Sequence, residues 1–393
     1  MRKIINLGLL TSAIIITPLS ADTISEAFTN GKIKGEIKAL YSNSNFLGNA
    51  QSDDIGAIGG NLNFVTGDYY GFKTGVTFQT SSIFTEDNNN SVFKNDVDAS
   101  GAVLSEAYID YTISNTNFKI GRQYIYTPLV STALDGKSSE SVLKDSFEAY
   151  ILTNTDIPNT TIVAGYISKY QAKTDGFGDT SDFNKFQDGA YTIYAKNTSI
   201  ENLTLQAQYL NEKGQTSASD KDALYFQADY NLSGHNLSVQ YINTTDKTAG
   251  EGLEDGEIFG LKATGPIGIG KLGYIVSYNT NTKDGAVYSG AGAGTTDTAF
   301  TSIPVNGGGV PTRANTDTLV GGIIIPISTV TGIAYAGHSA RDAGLGDVTA
   351  MGAIAIYPIN KDFLLKAKYE HVETENIFNK DTDVSRIYLS YKF

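Results

Sequence analysis

Two alternating segments joined by a polar turn decide how this chain is read: Val103-Leu-Ser-Glu-Ala-Tyr-Ile-Asp-Tyr111, then Ser114-Asn-Thr-Asn117, then Phe118-Lys-Ile-Gly-Arg-Gln123. A side-chain period of two belongs to extended backbone with one apolar and one polar face. Small polar residues between two such runs mark a tight hairpin. From Tyr124 to Asp145 the period is lost and charge accumulates at Asp135, Lys137, Glu140, Lys144 and Asp145. Alternation resumes at Phe147, with Glu148 next to it. The stretch predicts a strand pair followed by a long charged connection that folds inward from the wall.

The same period runs from Gly31 to the end. Ile33, Ile37 and Tyr41 alternate with Lys32, Lys34, Glu36 and Lys38, and Phe72, Val76 and Phe78 alternate with Lys73, Thr77 and Gln79. Further copies are Leu203-Leu205-Ala207-Tyr209, Leu224-Phe226-Ala228-Tyr230, Phe363-Leu365-Ala367-Tyr369 and Ile387-Leu389-Tyr391-Phe393. Connections alternate between short ones, such as Thr198 to Asn202 and Asn231 to His235, and long ones, such as Ser81 to Gly101 and Asn279 to Asp317. Short turns on one side and long loops on the other are the pattern of a transmembrane antiparallel β-barrel, here with about 18 strands. The count drops to about 16 if the weakest runs, Phe147 to Thr153, Thr161 to Ile167 and Leu319 to Ile325, are not strands.

Composition agrees. Of 393 residues, 41 are Gly, 24 Tyr and 18 Phe, with no Trp and no Cys; mean hydropathy is -0.17. That is too polar for a helical membrane protein and suits many short strands and turns. Without Trp, aromatic girdles must come from Tyr and Phe. Without Cys there is no disulfide framework, thiolate metal site or cysteine nucleophile.

Arg2 and Lys3 precede the apolar run Ile4 to Ile16, and Pro18-Leu-Ser-Ala21 closes it with small residues. This predicts a signal peptide over 1–21 and a barrel over 22–393. Losing Arg2 and Lys3 leaves 27 basic against 42 acidic residues, a formal charge of -15 from the full-chain value of -13. Nucleic acid is excluded as a partner on that balance. Thr23-Ile-Ser-Glu26 has capping-box spacing and predicts a short helical turn within 22–30. At the other end, Val384 to Phe393 is an alternating strand finishing on an aromatic, with Tyr391 and Phe393 as a signal for barrel assembly machinery. A soluble sandwich or propeller has no reason for that ending.

Few motifs invite catalysis. Gly265-Pro-Ile-Gly-Ile-Gly-Lys271 lacks the Ser or Thr and the following helix of a phosphate loop, and reads as a barrel turn. Gly290-Ala-Gly-Ala-Gly294 reads as flexible loop. His235, His338 and His371 have no ligand-like or triad-like spacing, so no metal, cofactor or enzyme activity is expected. The functional charges are instead those of the inward loop and of the polar wall. Lys119, Arg122, Asp135, Lys137, Glu140, Lys144, Asp145 and Glu148 are candidates for a constriction. Lys73, Glu106, Asp110, Lys196, Asp229, Lys262, Lys366, Lys368 and Arg386 are candidates for the wall. Opposite signs across a narrow aqueous space set up a transverse field that sorts ions and polar solutes. Strict alternation puts Arg122 with Phe118 and Ile120 toward lipid, at a cost of ~2–4 kcal/mol near the midplane. A bulge at Gly121 is therefore expected to turn it inward.

At Leu104-Ser-Glu-Ala-Tyr-Ile-Asp-Tyr111, Phe118-Lys-Ile-Gly-Arg-Gln123, Thr127-Pro128-Leu129, Ser146-Phe-Glu-Ala-Tyr150, Ser25-Glu-Ala-Phe28 and the final strand, the sequence resembles the OprD-like outer-membrane porins. The resemblance implies an 18-stranded barrel of a Gram-negative outer membrane with its third long loop in the lumen. It also implies passive uptake of ions and small hydrophilic solutes. In that family a ladder of basic residues, mostly arginine, guides carboxylates; here only Arg122, Arg313, Arg341 and Arg386 remain after the leader. Lysines would substitute as point charges without bidentate recognition. The acidic balance predicts weak cation preference. The alternatives are a channel selective for small organic acids, amino acids or peptides, and a structural or adhesive barrel with a plugged lumen. Small residues at Ala350, Gly352 and Ala353 are the candidate contact of a homotrimer.

Overall fold

The alternating runs become strands that pair edge to edge until the last meets the first. A computed structural model describes residues 21–46, 51–87, 97–247, 254–288, 290–292, 297–302, 307–341, 346–375 and 381–393. The expected leader, apart from Ala21, lies outside the described residues. Helix α1 (Ile24–Thr29) carries the expected box: Glu26 N donates to Thr23 Oγ1 at 3.1 Å and Thr23 N to Glu26 Oε2 at 3.3 Å. The wall follows as β1 (Lys32–Phe46), β2 (Gln51–Val65), β3 (Phe72–Glu86), β4 (Ala99–Ile113), β5 (Thr116–Gln123) and β6 (Ser146–Asn154). Then come β7 (Thr160–Gln171), β8 (Asn184–Asn197), β9 (Leu203–Glu212), β10 (Lys221–Leu232), β11 (His235–Asp246) and β12 (Glu254–Pro266). The last six are β13 (Gly273–Asn281), β14 (Thr316–Ile327), β15 (Val330–Arg341), β16 (Val348–Pro358), β17 (Phe363–Thr374) and β18 (Thr382–Lys392).

Each strand pairs antiparallel with the next, and β18 pairs with β1, so the sheet closes. The three weakest runs are strands β6, β7 and β14, and the barrel has eighteen. One added piece, Gly178–Asp179, lies parallel to Ala99–Ser100. The terminal Phe393 exchanges both backbone bonds with Gly35, at 3.0 and 3.1 Å. No helix among the described residues is long and apolar enough to cross a membrane.

The short turns share one device. Ser114, Asn159, Asn202, Ser233 and Ser328 all have left-handed φ, between 51° and 63°. Short polar side chains tolerate that conformation, and it matches the twist of tightly joined strands. In Ser233-Gly234 both residues have positive φ, 52° and 90°, as a two-residue turn requires.

Directly paired residues share a face, so register assigns every side chain. Ile37, Leu62, Ile109, Ile120, Ile193 and Phe226 stand exposed on the outer face. Rings border that band at both ends. Phe72 stacks on Tyr111 at 4.3 Å and Phe363 on Tyr391 at 4.5 Å near the short turns. Near the long loops Tyr166 sits 6.0 Å from Tyr150 and 5.0 Å from Tyr191.

Register corrects three expectations. Gly121 has φ 121°, yet pairing runs unbroken through Tyr108↔Gly121, Ala107↔Arg122, Gly121↔Ala149 and Arg122↔Glu148. Arg122 therefore faces outward and takes Glu148 with it, so neither lines the lumen. Arg122 lies one row beyond the tyrosines, next to the last residue of β5 at the long-loop end of the wall. Ala350 and Gly352 face the lumen, where Gly352 pairs with Tyr335, so only Ala353 of the supposed trimer contact is outward.

Candidate functional site

The lumen is organised by loop 124–145. β5 ends at Gln123, whose side-chain amide donates inward to Ala149 O at 3.1 Å. Tyr124 N donates to Glu106 Oε1 at 3.2 Å, and its hydroxyl bonds Ser105 at 2.8 Å, turning the chain into the barrel. A tight bend follows, with Thr127 N donating to Val130 O at 2.9 Å. Gln208 of β9 clamps the bend, accepting from Leu129 N and donating to Thr127 Oγ1, both at 2.8 Å. Ile125, Leu129 and Val130 then pack against inward Phe147, Ala149, Ile167, Leu210 and Ile242. The wall of β6–β12 is thus apolar inside at this height, where a water-filled barrel would be polar.

The second half of the loop is held by charge. Glu140, almost fully buried, receives Lys366 Nζ on Oε1 and Lys368 Nζ on Oε2 at 2.9 Å. Gly136 N also donates to Glu140 Oε2, at 2.9 Å. Lys38 Nζ of β1 reaches Asp135 Oδ1 at 3.0 Å and Ser141 O at 3.2 Å. Burial acts to raise the Glu140 carboxyl, and Lys368, Lys366 and Lys38 outweigh it, so the group lies below its ordinary range. Asp135 is likewise lowered: burial opposes, but Lys38 and Lys144 prevail. Asp145 is a structural anchor, accepting from Ala133 N (3.1 Å), Tyr170 Oη (3.0 Å) and Lys173 N (3.1 Å). Lys144 docks by its backbone, bonding both ends of the Gln79 amide.

A second segment enters beside the first. In the loop after β13, Ala291–Gly292 pairs parallel with Val130–Ser131. Thr298 Oγ1 donates to Pro128 O at 2.9 Å, and Gln240 Nε2 to Thr298 O at 3.0 Å. Asp297 accepts from Ser138 Oγ at 3.1 Å and from Ser139. Burial pushes the nearby Lys137 ammonium down, with Asp297 opposing. Gly290-Ala-Gly292 is therefore a docking edge rather than a flexible loop; residues 293–294 lie outside the described residues. Positive φ at Gly290 and Gly292, both 73°, brings this backbone against the first loop. The sequence clue was apolar Val287 and Ala299 in a loop otherwise rich in Gly and Thr; both are buried.

The expected wall residues face the lumen. Lys73, Asp110 and Lys119 form one cross-strand row of alternating charge. Lys119 Nζ lies 3.6 Å from Glu106 Oε1 and 3.7 Å over the Tyr108 ring. Asp229 accepts from Ser238 at 2.5 Å and Gln227 at 2.7 Å, and Lys262 sits 5.5 Å over Phe300 of the second loop. Lys196 is paired with Gln206. Lys366, Lys368 and Arg386 meet under the first loop. Lys38 completes that cluster and was missed, since on β1 it looks the same as Lys32 and Lys34.

No protein-family model matches the sequence, and no curated protein does. Solved structures do. Acinetobacter baumannii OccAB4 superposes with a TM-score of 0.75 at 14% identity, over 94% of this chain and 99% of that one. Pseudomonas aeruginosa OccK9 (OpdG) gives 0.74 at 17%, over 93% and 99%, and Pseudomonas aeruginosa OccK3 (OpdO) gives 0.72 at 15%, over 94% and 97%. The fold is that of the OprD-family porins. An OprD-type barrel with its third long loop inside is what the quoted motifs implied. The scarcity of arginine in this lumen stands apart from the ladder expected of such porins.

Proposed function

We propose that this chain is an outer-membrane porin through which ions and small hydrophilic solutes diffuse passively. The carrying observation is the division of faces: an apolar outer band between two aromatic borders, and a lumen lined by Lys, Asp, Glu, Gln and Asn around two docked loops. A leader at 1–21 delivers the chain, and the barrel machinery reads the terminal strand with Tyr391 and Phe393. The channel is weakly cation-preferring, because the mature chain carries a formal -15 and Glu140 and Asp135 offset part of the lysine charge around loop 124–145. Purified protein in planar bilayers tests this. Ohmic conductance with a cation-selective reversal potential across a KCl gradient is expected. Anion selectivity would reverse the preference, and silence at all voltages would favour the plugged structural barrel.

The second inward loop favours one further reading, a channel selective for a solute class such as small organic acids, amino acids or peptides. Two loops docked side by side present many fixed donors and acceptors to whatever passes. Saturable block of single-channel current by one such solute, with the others silent, would establish it.

A further inference from the structure

The outward position of Arg122 places it in a patch unlike the rest of the rim. Reading across strands, Ile120, Tyr150, Tyr166 and Tyr191 form one outward row. The next row toward the long loops is Arg122, Glu148, Lys169 and Lys185. On β5 and β6 two residues of strand separate the rows by roughly 7 Å, and register shifts lengthen the step on β7 and β8, so three cations stand on the long-loop side of a tyrosine border. Glu148 bridges two of them, at 3.1 Å from Lys169 Nζ and 3.9 Å from Arg122 Nε. The Arg122 guanidinium is stacked 4.2 Å over Phe183 and donates to Leu104 O at 3.2 Å. It is therefore oriented, not trailing in solvent, and its side chain remains 34% accessible against 38% for Lys169. Lys185 is exposed.

At four other places on the rim a carboxylate stands above the tyrosine. Tyr209, Tyr241, Tyr278 and Tyr369 each donate to a carboxylate in the row above: Asp222 (2.5 Å), Glu257 (2.9 Å), Asp317 (2.9 Å) and Asp383 (2.8 Å). In the row over Tyr150, Tyr166 and Tyr191 a single carboxylate, Glu148, stands among three basic groups. Directly beneath the same patch the outer face is concave. A groove of about 570 Å³ runs between Phe118, Ile120, Tyr150, Leu152 and Tyr166, open because Ala164 supplies only a methyl group on this face.

We propose that this patch binds one phosphate-bearing lipid of the outer leaflet. Its headgroup phosphate is held by Arg122, Lys169 and Lys185, and an acyl chain lies in the groove below. Arginine and lysine are the residues that recognise phosphate, the former with a planar fork. Glu148 keeps two cations from repelling each other and leaves the site net positive. The orientation rests on the membrane reading above, with the long loops outward.

Native mass spectrometry of the full barrel, delipidated and titrated with lipid A or with phosphatidylcholine, tests the site. One equivalent of lipid A bound in preference to phosphatidylcholine is expected, and the Arg122→Gln, Lys169→Gln, Lys185→Gln triple variant loses about tenfold in affinity. Since that variant removes several rim contacts, Lys185→Gln alone and Ala164→Phe, which fills the groove from the lipid side, are measured beside it. Each weakens lipid A binding by about threefold or more. Equal lipid A affinity in all three variants, or equal competition by phosphatidylcholine, overturns the proposal. Conductance recorded on the same samples separates the two readings: a silent barrel that still binds lipid A sinks the porin assignment alone.

Discussion

Loop 124–145 meets two different walls, and the contrast explains how a barrel holds a constriction in place. On the side of β6–β12, Ile125, Leu129 and Val130 enter a dry pocket of inward apolar residues joined by Val287, Ala291 and Ala299 of the second loop. On the side of β17, β18 and β1, Glu140 and Asp135 enter a basic cluster of Lys366, Lys368 and Lys38. Apolar burial is non-directional and has no charge to titrate. Ion pairs are directional, and when one partner is lost the other becomes a buried, unpaired charge. The apolar side holds the first half of the loop without regard to charge, and the charged side both holds the second half and sets the field inside the barrel.

Removing Glu140 is the most damaging way to break the comparison. Glu140→Gln leaves the Lys366 and Lys368 ammoniums, 7% and 1% exposed, facing each other with a neutral amide between them. Breaking a buried pair costs about 3–5 kcal/mol, here out of loop docking rather than barrel stability. Reversal potentials should move toward anions and single-channel current should flicker. Adding Lys366→Met and Lys368→Met should restore a quiet trace. A quiet, unshifted Glu140→Gln channel would mean that the charged wall does not position the loop.

The apolar side is next. Leu129 is fully buried, and Leu129→Ala costs about 2–5 kcal/mol through lost transfer energy and a cavity. Amide exchange at Leu129 and Thr132 should accelerate while ion selectivity stays as it was. If selectivity changed as strongly as in Glu140→Gln, the two walls would not have separate roles. Asp297→Ala should do less, about 1–3 kcal/mol, because the backbone pairing of Ala291–Gly292 with Val130–Ser131 survives. Protection should fall at Ser138 and Ser139 and not at Leu129.

The wall was legible because lipid and water impose opposite demands on alternate residues, and that contrast is written into every strand from Ile33 to Phe393. Turn ends were legible from Ser and Asn at left-handed positions. The third long loop stood out as a charged interruption of the period. What alternation does not encode is height. It assigned Arg122 to the correct face, and the expected bulge at Gly121 overruled it only because depth along the strand was unknown. Nor does local pattern encode contacts across the lumen. Lys38 meets Asp135 over a separation of 97 residues, and Thr298 meets Pro128 over 170. Small residues such as Ala291 and Gly292 look mobile in sequence because the partner that orders them is elsewhere.

Acid titration gives the smallest expected effect and sharpens the comparison furthest. Glu140 and Asp135 both lie below the ordinary carboxyl range, through Lys368, Lys366 and Lys38 in the first case and Lys38 and Lys144 in the second. A group whose folded pKa is depressed stabilises docking fully above its unfolded value, about 4, and loses that contribution as pH falls through the folded one. Between pH 7 and pH 5, then, the Glu140 and Asp135 pairs should hold, and any change in current noise in that interval belongs to Asp145, whose carboxyl burial raises. Below about pH 4 the contribution of the charged wall should begin to shrink, and as pH falls on through the lowered folded values that wall should release first, with flicker like that of Glu140→Gln while Leu129 stays protected from exchange. Protection lost at Leu129 in the same pH interval would show that the two walls let go together, and the division of labour between them would fail.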